Sequence, residues 1–253
     1  MPSKALRLLV FYLALLSLWQ LVAYVAIWPS YVFPSPHAVL TSLQGTIDDG
    51  KLTEAVTNTM KRMAIGFGLS VVIGLLIGVA MGTFKWVDET LGSAVLGLQS
   101  LPSVTWFPIA LLWFGLNDHA IIFVVLMGSV CSIAISSRTG VRDIPVIQLR
   151  AGRMFGANRL QMYWMVVMPA MLPSMVQGLK LGWSFAWRSL LAAELLFVSP
   201  SLGHLLGVGR DLNDVGLVMA MMFVIVAISM IVDRVLFGRL EHWVHDRWGL
   251  AQT

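Results

Sequence analysis

Arg150-Ala151-Gly152-Arg153-Met154-Phe155-Gly156-Ala157-Asn158, running on through Val166-Val167-Met168-Pro169 to Leu172-Pro173-Ser174, lies within the one long polar interruption of an otherwise apolar chain. The interruption covers 138–174 and carries Arg138, Arg142, Arg150, Arg153 and Arg159. Pro145 suits the first turn of a helix, Asp143 just upstream favours its positive end, and Gly156 is the usual residue just past a helix end. That pattern predicts a short helix over 146–155. Asn158 then caps a second helix, with Gln161 three residues on as its reciprocal partner, and Pro169 is expected to stop it. A helix, a glycine turn and a second helix between two apolar runs suit the docking of something outside the membrane.

Composition sets the class. The 253 residues are 58% hydrophobic and 12% charged, with a mean hydropathy of +0.81, whereas soluble domains are typically about 45–50% apolar and about 25% charged. The chain is expected to be an all-α integral membrane protein with the lipid bilayer as its solvent. Its net charge of +4 sits in short basic segments beside apolar runs, a pattern of membrane orientation that argues against nucleic acid as a partner. Cys131, the sole cysteine, lies in an apolar run, so neither an intrachain disulfide nor a thiolate metal cluster is available.

Six transmembrane spans are expected, at 6–28, 63–83, 91–115, 120–136, 172–198 and 215–237, each near the ~20 residues that cross ~30 Å of hydrocarbon. The first run follows Lys4 and Arg7 but is too long for a signal-peptide core and has no small-residue cleavage site after it, so it reads as an uncleaved anchor. Tyr31 to Pro36 cannot continue a helix, and a polar loop with a short amphipathic piece is expected after it, to about Lys61. Gly66, Ser70, Gly74, Gly78 and Gly82 place a small residue at every fourth position of span two. Such a stripe admits another helix closely, either inside the subunit or across a dimer face. Pro102 and Pro108 kink or break span three, and broken helices in membranes line protein or water.

Lysines and arginines of short loops stay preferentially in the cytoplasm. Eleven of the seventeen fall on the side of both termini and the central stretch, four fall on the other, and Lys180 and Arg188 lie within span five. Both termini and the interruption are therefore expected on the cytoplasmic side of a bacterial inner membrane.

Taken with its flanks, the stretch resembles the permease subunits of ABC importers that depend on a substrate-binding protein, in the branch serving nitrate, taurine and alkanesulfonates. Their cytoplasmic signature reads roughly Glu-Ala-Ala, three residues, Gly, about nine residues, then an apolar residue, Leu and Pro. Here it corresponds to Arg150-Ala151-Gly152, Gly156, and Val167-Met168-Pro169, with arginine where the family has glutamate, Gly152 for the second alanine and Met168 for leucine. Leu172-Pro173-Ser174, Gly178-Leu179-Lys180, Trp113-Phe114-Gly115, Gly140-Val141-Arg142 and Ala192-Ala193-Glu194-Leu195 are also similar to that branch. The similarity covers about 58–239, the permease core of a single transmembrane domain over 1–253. It implies a type I importer fold in which 138–174 is the coupling segment, with Arg150, Ala151, Gly152, Arg153, Gly156, Ala157, Asn158 and Pro169 contacting an ATPase. It further implies two ATPase subunits, a binding protein delivering solute near 199–214 and 41–61, and a second copy of the chain. No Gly-x4-Gly-Lys-Ser/Thr loop occurs in the chain, so hydrolysis falls to the partner, and the chain is expected to be neither an enzyme nor a cofactor carrier.

Span five holds Lys180, Arg188 and Glu194, and a charge at a helix centre costs about 2.5–3.5 kcal/mol on insertion scales, so such groups face a cavity or a partner. Two readings stand: Arg188, helped by Lys180, offers an anion an attractive field in the path, or the charges snorkel or pair with Glu194 or another span. Trp187 either flanks that path, with Trp183, or simply packs. A stand-alone secondary transporter would need coupling-ion carboxylates at mid-membrane, and Glu194 is the one well inside a span. An intramembrane enzyme would need a nucleophile–base pair or metal site, and the five histidines fall in loops or tails. Substrate identity stays open among nitrate, taurine, an alkanesulfonate and a heterocyclic vitamin precursor.

Overall fold

Residues 4–25 and 27–248 are described by a computed structural model. They form helices α1 (Lys4–Val25), α2 (Pro36–Asp48), α3 (Lys51–Thr83), α4 (Lys85–Gln99), α5 (Phe107–Phe114), α6 (Asp118–Arg142), α7 (Val146–Met154), α8 (Arg159–Met162), α9 (Met168–Leu195), α10 (Leu202–Asp211), α11 (Val215–Val232) and α12 (Gly238–Trp248), and no strand. The chain divides into two units: one holds the described residues up to Thr59 with Glu194–Ile228, the other Met60–Ala193 with the described residues from Ser229.

The second unit is organised by small residues. A Cβ on Gly66 would lie 2.8 Å from Val125 Cγ1, one on Gly74 2.8 Å from Ile133 Cβ, and one on Gly82 2.6 Å from Val141 Cβ, while Gly78 meets the Ala134 carbonyl. Ser129 Oγ donates to Ser70 Oγ at 2.8 Å. The stripe on α3 therefore packs against α6 inside the subunit. Because residue numbers rise together on both helices, α3 and α6 run parallel. α9 packs on α6 beside α3 and in the opposite sense: Gly140 faces Ser174, Gly178 faces Ser136, Gly182 faces Ile133 and Gly128 faces Ser189. With both helices against it, α6 has 61% of its most apolar window buried, against 28% for α3.

Parallel packing decides span three. Arg62 in α3 pairs with Asp118 at the start of α6 at 2.8 Å, while Gly82 meets Val141 near its end, so the segment from 84 to 117 must return the length of the bundle. α4 and α5 make that return as a broken span bent by 101°, with a 3₁₀ turn, Ser103–Trp106, at the bend. Pro102 ends the first half and Pro108 opens the second. Among the described residues, four single helices are long and apolar enough to cross a membrane: Leu6–Val25, Lys51–Thr83, Asp118–Arg142 and Val215–Val244. α9 has 28 residues, or about 42 Å at helical rise, and falls short in apolarity because it carries Lys180, Arg188 and Glu194.

The polar loop expected up to Lys61 is mostly helix. Ser35 caps α2 by accepting the Ala38 N–H at 3.2 Å, with Pro36 in its first turn, and Gly50, at φ 72°, separates α2 from α3. Lys51 to Met60 contains strong helix formers and no breaker, so α3 runs on past the apolar segment to 33 residues. α10 likewise occupies most of the expected 199–214 loop, capped by Ser201 on His204 N–H at 3.2 Å. Span four extends to Arg142 because Asp88 of α4 clamps Arg138 and Arg142, one turn apart, the latter at 2.6 Å.

In the first unit no residue of the Leu6–Val25 window is buried, as suits a helix surrounded by lipid. The Trp19 indole N–H donates to the Pro34 carbonyl at 3.1 Å and its ring lies 5.7 Å from that of Phe223. A Cβ on Gly216 would meet Ser42 Oγ at 2.9 Å, which seats α2 against the start of α11.

Candidate functional site

The central stretch folds into an elbow. α7 covers 146–154, one residue short of the expected helix. Past it Gly156 has φ 77°, the Gly156 N–H donates to Arg153 O at 3.0 Å and the Ala157 N–H donates to Gly152 O at 3.1 Å. This is the six-to-one closure of a helix end on a left-handed glycine. Asn158 and Gln161 then make the expected reciprocal cap, Asn158 N–H to Gln161 Oε1 at 2.9 Å and Gln161 N–H to Asn158 Oδ1 at 2.8 Å. Gly152 is buried, and a Cβ there would sit 2.9 Å from Met162 Cε, so α7 folds back on the helix that follows it.

Pro169 does not stop that second helix. A π turn, Tyr163–Val167, joins α8 to α9, and the Met168 N–H reaches back five residues to Tyr163 O. Proline lacks an N–H and crowds the carbonyl four residues earlier; the wider turn just before it accommodates that crowding, and the helix passes through. The elbow is thus continuous with α9. Arg150 and Arg153 are exposed, Ala151 and Ala157 half-buried, and Asn158 exposed. Met154 and Phe155, absent from the sequence-derived set, protrude furthest at 88% and 90% exposure. An apolar pair next to a glycine in a basic loop was the signal for them.

A second feature lies higher in the same unit. The α4–α5 break, α6 and α9 line an open cavity of about 400 Å³ whose polar residues are Gln99, Ser100, Ser103, Ser132 and Arg188, with Gln99, Ser100 and Arg188 exposed. Gly128, facing Ser189, is ten residues from Asp118, about 15 Å along a helix of roughly 36 Å at 1.5 Å per residue, so the cavity sits near mid-height. The Arg188 guanidinium carbon lies 5.3 Å from the Phe185 ring centre. Among the described residues no carboxylate pairs with Arg188, and none lines the cavity.

The other three residues expected along the path do not line this cavity. Lys180 Nζ pairs with Asp233 at 3.7 Å and Glu241 at 3.5 Å, on the C-terminal helical segment rather than with Glu194. Glu194 is fully buried in the first unit, where it accepts the Thr59 hydroxyl at 2.9 Å and the Gly203 N–H at 3.3 Å, and Thr59 Oγ1 accepts the Leu202 N–H at 3.0 Å. Trp187 stacks on Trp183 at 6.0 Å, and Trp183 packs edge-on against Phe67. Lys180 and Glu194 do not pair with each other; each is taken by its own neighbours.

Residues 70–247 match the family model described as binding-protein-dependent transport system inner membrane component. A protein of Methanocaldococcus jannaschii bearing the name of an ABC transporter permease is 31% identical over 86% of this chain and 83% of its own length. The taurine transport system permease protein TauC of Escherichia coli K12 is 28% identical over 90% of this chain and 86% of its own length. Among solved structures, the MetNI methionine ABC transporter in an inward-facing conformation aligns with a TM-score of 0.66 at 18% identity, covering 77% of this chain and 96% of that one.

Proposed function

Because the chain belongs to the family of binding-protein-dependent transport system inner membrane components, we propose a division of labour for it between the elbow at Gly156 and the cavity at Arg188. It is the membrane-spanning permease subunit of an ATP-driven ABC importer, and hydrolysis belongs to a separate ATPase. In our reading α7 is the coupling helix: Met154 and Phe155 enter a groove on the ATPase, with Arg150 and Arg153 beside them. Gly152, Gly156, Ala157 and Asn158 hold the elbow's shape, and the run through Pro169 into α9 carries its displacement to the path. The observation that bears most on this is the unbroken helix from the elbow into the wall of the cavity, since a rigid connection is what mechanical transmission requires.

The face carrying Lys85, Arg138, Arg142, α7 and Lys180 is cytoplasmic in this scheme, by the excess of basic residues there. Two ATPase subunits dock below, a second copy of the chain completes the path, and a binding protein delivers solute to α2 and α10. The solute is a small organic or inorganic anion of the taurine and sulfonate kind, by analogy with TauC. Reconstitution of the chain with its ATPase and binding protein into vesicles tests the proposal: solute should enter and hydrolysis should rise when the loaded binding protein is added. Uptake by the purified chain without any ATPase would instead establish a secondary transporter.

A further inference from the structure

The α4–α5 break gives the permease something a plain conduit does not require. A charge near mid-membrane is costly unless it is hydrated or matched, and Arg188 has no carboxylate partner among the described residues, whereas Lys180, on the same helix, has two. Around Arg188 the cavity wall is uncharged and largely apolar, with Gln99, Ser100, Ser103 and Ser132 offering amide and hydroxyl groups, and among the described residues no lining residue carries a negative charge. Gln99 Nε2 reaches Ser132 Oγ only at 3.5 Å, a stretched contact that a better acceptor can displace. A guanidinium presents paired N–H donors in a fork that matches two oxygens of one oxyanion.

We propose that this cavity is a binding site for a small monovalent oxyanion, a sulfonate or carboxylate-sized group, inside the permease itself. Selection by charge is then applied twice, once by the binding protein and again midway through the membrane. The inference rests on the reading of the chain as an importer permease, because it takes the cavity to lie on the path. The volume of about 400 Å³ accommodates a solute of a few heavy atoms with some water.

Cys131, the sole cysteine of the chain, lines the same cavity and supplies the reporter. The complete complex with its ATPase, in lipid nanodiscs without the binding protein, is treated with an anionic sulfonatoethyl and a cationic trimethylammonioethyl methanethiosulfonate. Each reagent transfers its thioalkyl group to the Cys131 thiolate as a mixed disulfide and releases methanesulfinate. Modification of the Cys131 peptide is followed by mass spectrometry. The anionic reagent is expected to react faster, and Arg188→Gln to lower the anionic-to-cationic rate ratio about tenfold, the scale on which one sign of charge in a cleft raises encounter rates. Arg188→Lys should keep most of the ratio. In the unaltered chain, millimolar methanesulfonate should slow modification while its uncharged isostere dimethyl sulfone does not, an arm that needs no variant to fold.

A rate ratio unchanged by Arg188→Gln, equal protection by the two isosteres, or a Cys131 that neither reagent reaches would each overturn the site. Binding-protein-stimulated ATP hydrolysis by the same preparation separates the two failures. If stimulation is present and charge selection absent, the permease stands and the oxyanion site falls; if stimulation is absent, the importer reading itself fails.

Discussion

Gly78→Ala sets the packing of α3 on α6 against the ordinary preference of a helix for alanine. A Cβ added at Gly78 lies 2.6 Å from Ser137 Cβ and 2.9 Å from the Ala134 carbonyl carbon, and closest of all to that carbonyl's oxygen. The obstacle is backbone, so no rotamer change relieves it and the two helices must part. Overpacking of this kind costs about 1–3 kcal/mol, and an unyielding neighbour puts it toward the upper end. Alanine also gains about 1 kcal/mol over glycine in a helix interior. Gly68, on the same helix with nothing within 4 Å of its Cβ, shares that gain and lacks the clash. The propensity cancels between the two variants, so Gly78→Ala should be less stable than Gly68→Ala by about 2–3 kcal/mol. Reversible unfolding of the purified chain in mixed micelles, titrated with dodecyl sulfate and followed by circular dichroism, measures the difference. A Gly78→Ala chain as stable as Gly68→Ala would refute the parallel α3–α6 packing, and with it the argument that α4 and α5 return as one broken span.

Three further outcomes are expected. Asp88→Asn removes the anion that holds Arg138 and Arg142, so the end of α6 should loosen, and trypsin should cut at Arg138 or Arg142 several-fold faster than in the parent, equal rates counting against the clamp. Thr59→Val removes the donor to Glu194 and the acceptor of Leu202 N–H, and should lower stability by about 1–3 kcal/mol in the same unfolding assay, while a shift within error would show that other groups carry Glu194. Phe155→Ala combined with Met154→Ala should leave membrane insertion and micellar stability unchanged, because both side chains are about nine-tenths exposed, yet reduce co-purification of the ATPase at least about tenfold, as truncation of interface anchors does; full retention of the ATPase would remove these two residues from the coupling contact.

Local chemistry was legible in the sequence wherever a few adjacent residues decide it. The α7 helix, the left-handed Gly156 and the Asn158–Gln161 cap follow from residue types at fixed offsets, and the structure reproduces them within one residue. Apolar runs likewise marked the four single helices that are long and apolar enough to cross a membrane among the described residues. They did not mark where helices end: α3 begins a dozen residues before its apolar segment because hydropathy reports the solvent, while helix formation reports the backbone. Pro169 was read as a stop because proline breaks an α-helix, and a π turn, which no short-range pattern announced, lets the chain continue.

Partners had to wait for tertiary structure. The small-residue stripe said that something packs closely on α3, and only the fold shows that it is α6, in parallel, which then obliges α4 and α5 to form a bent return. The sequence left open whether the three intramembrane charges snorkel, pair or face a path; α9 sends Lys180 to Asp233 and Glu241, buries Glu194 beneath Thr59 and Gly203, and leaves Arg188 facing the break. A sequence determines the spacing of charges along one helix, since that follows from 3.6 residues per turn. Which of those charges is ion-paired or hydrogen-bonded depends on side chains brought close from as many as 135 positions away, and that is settled by how the helices pack.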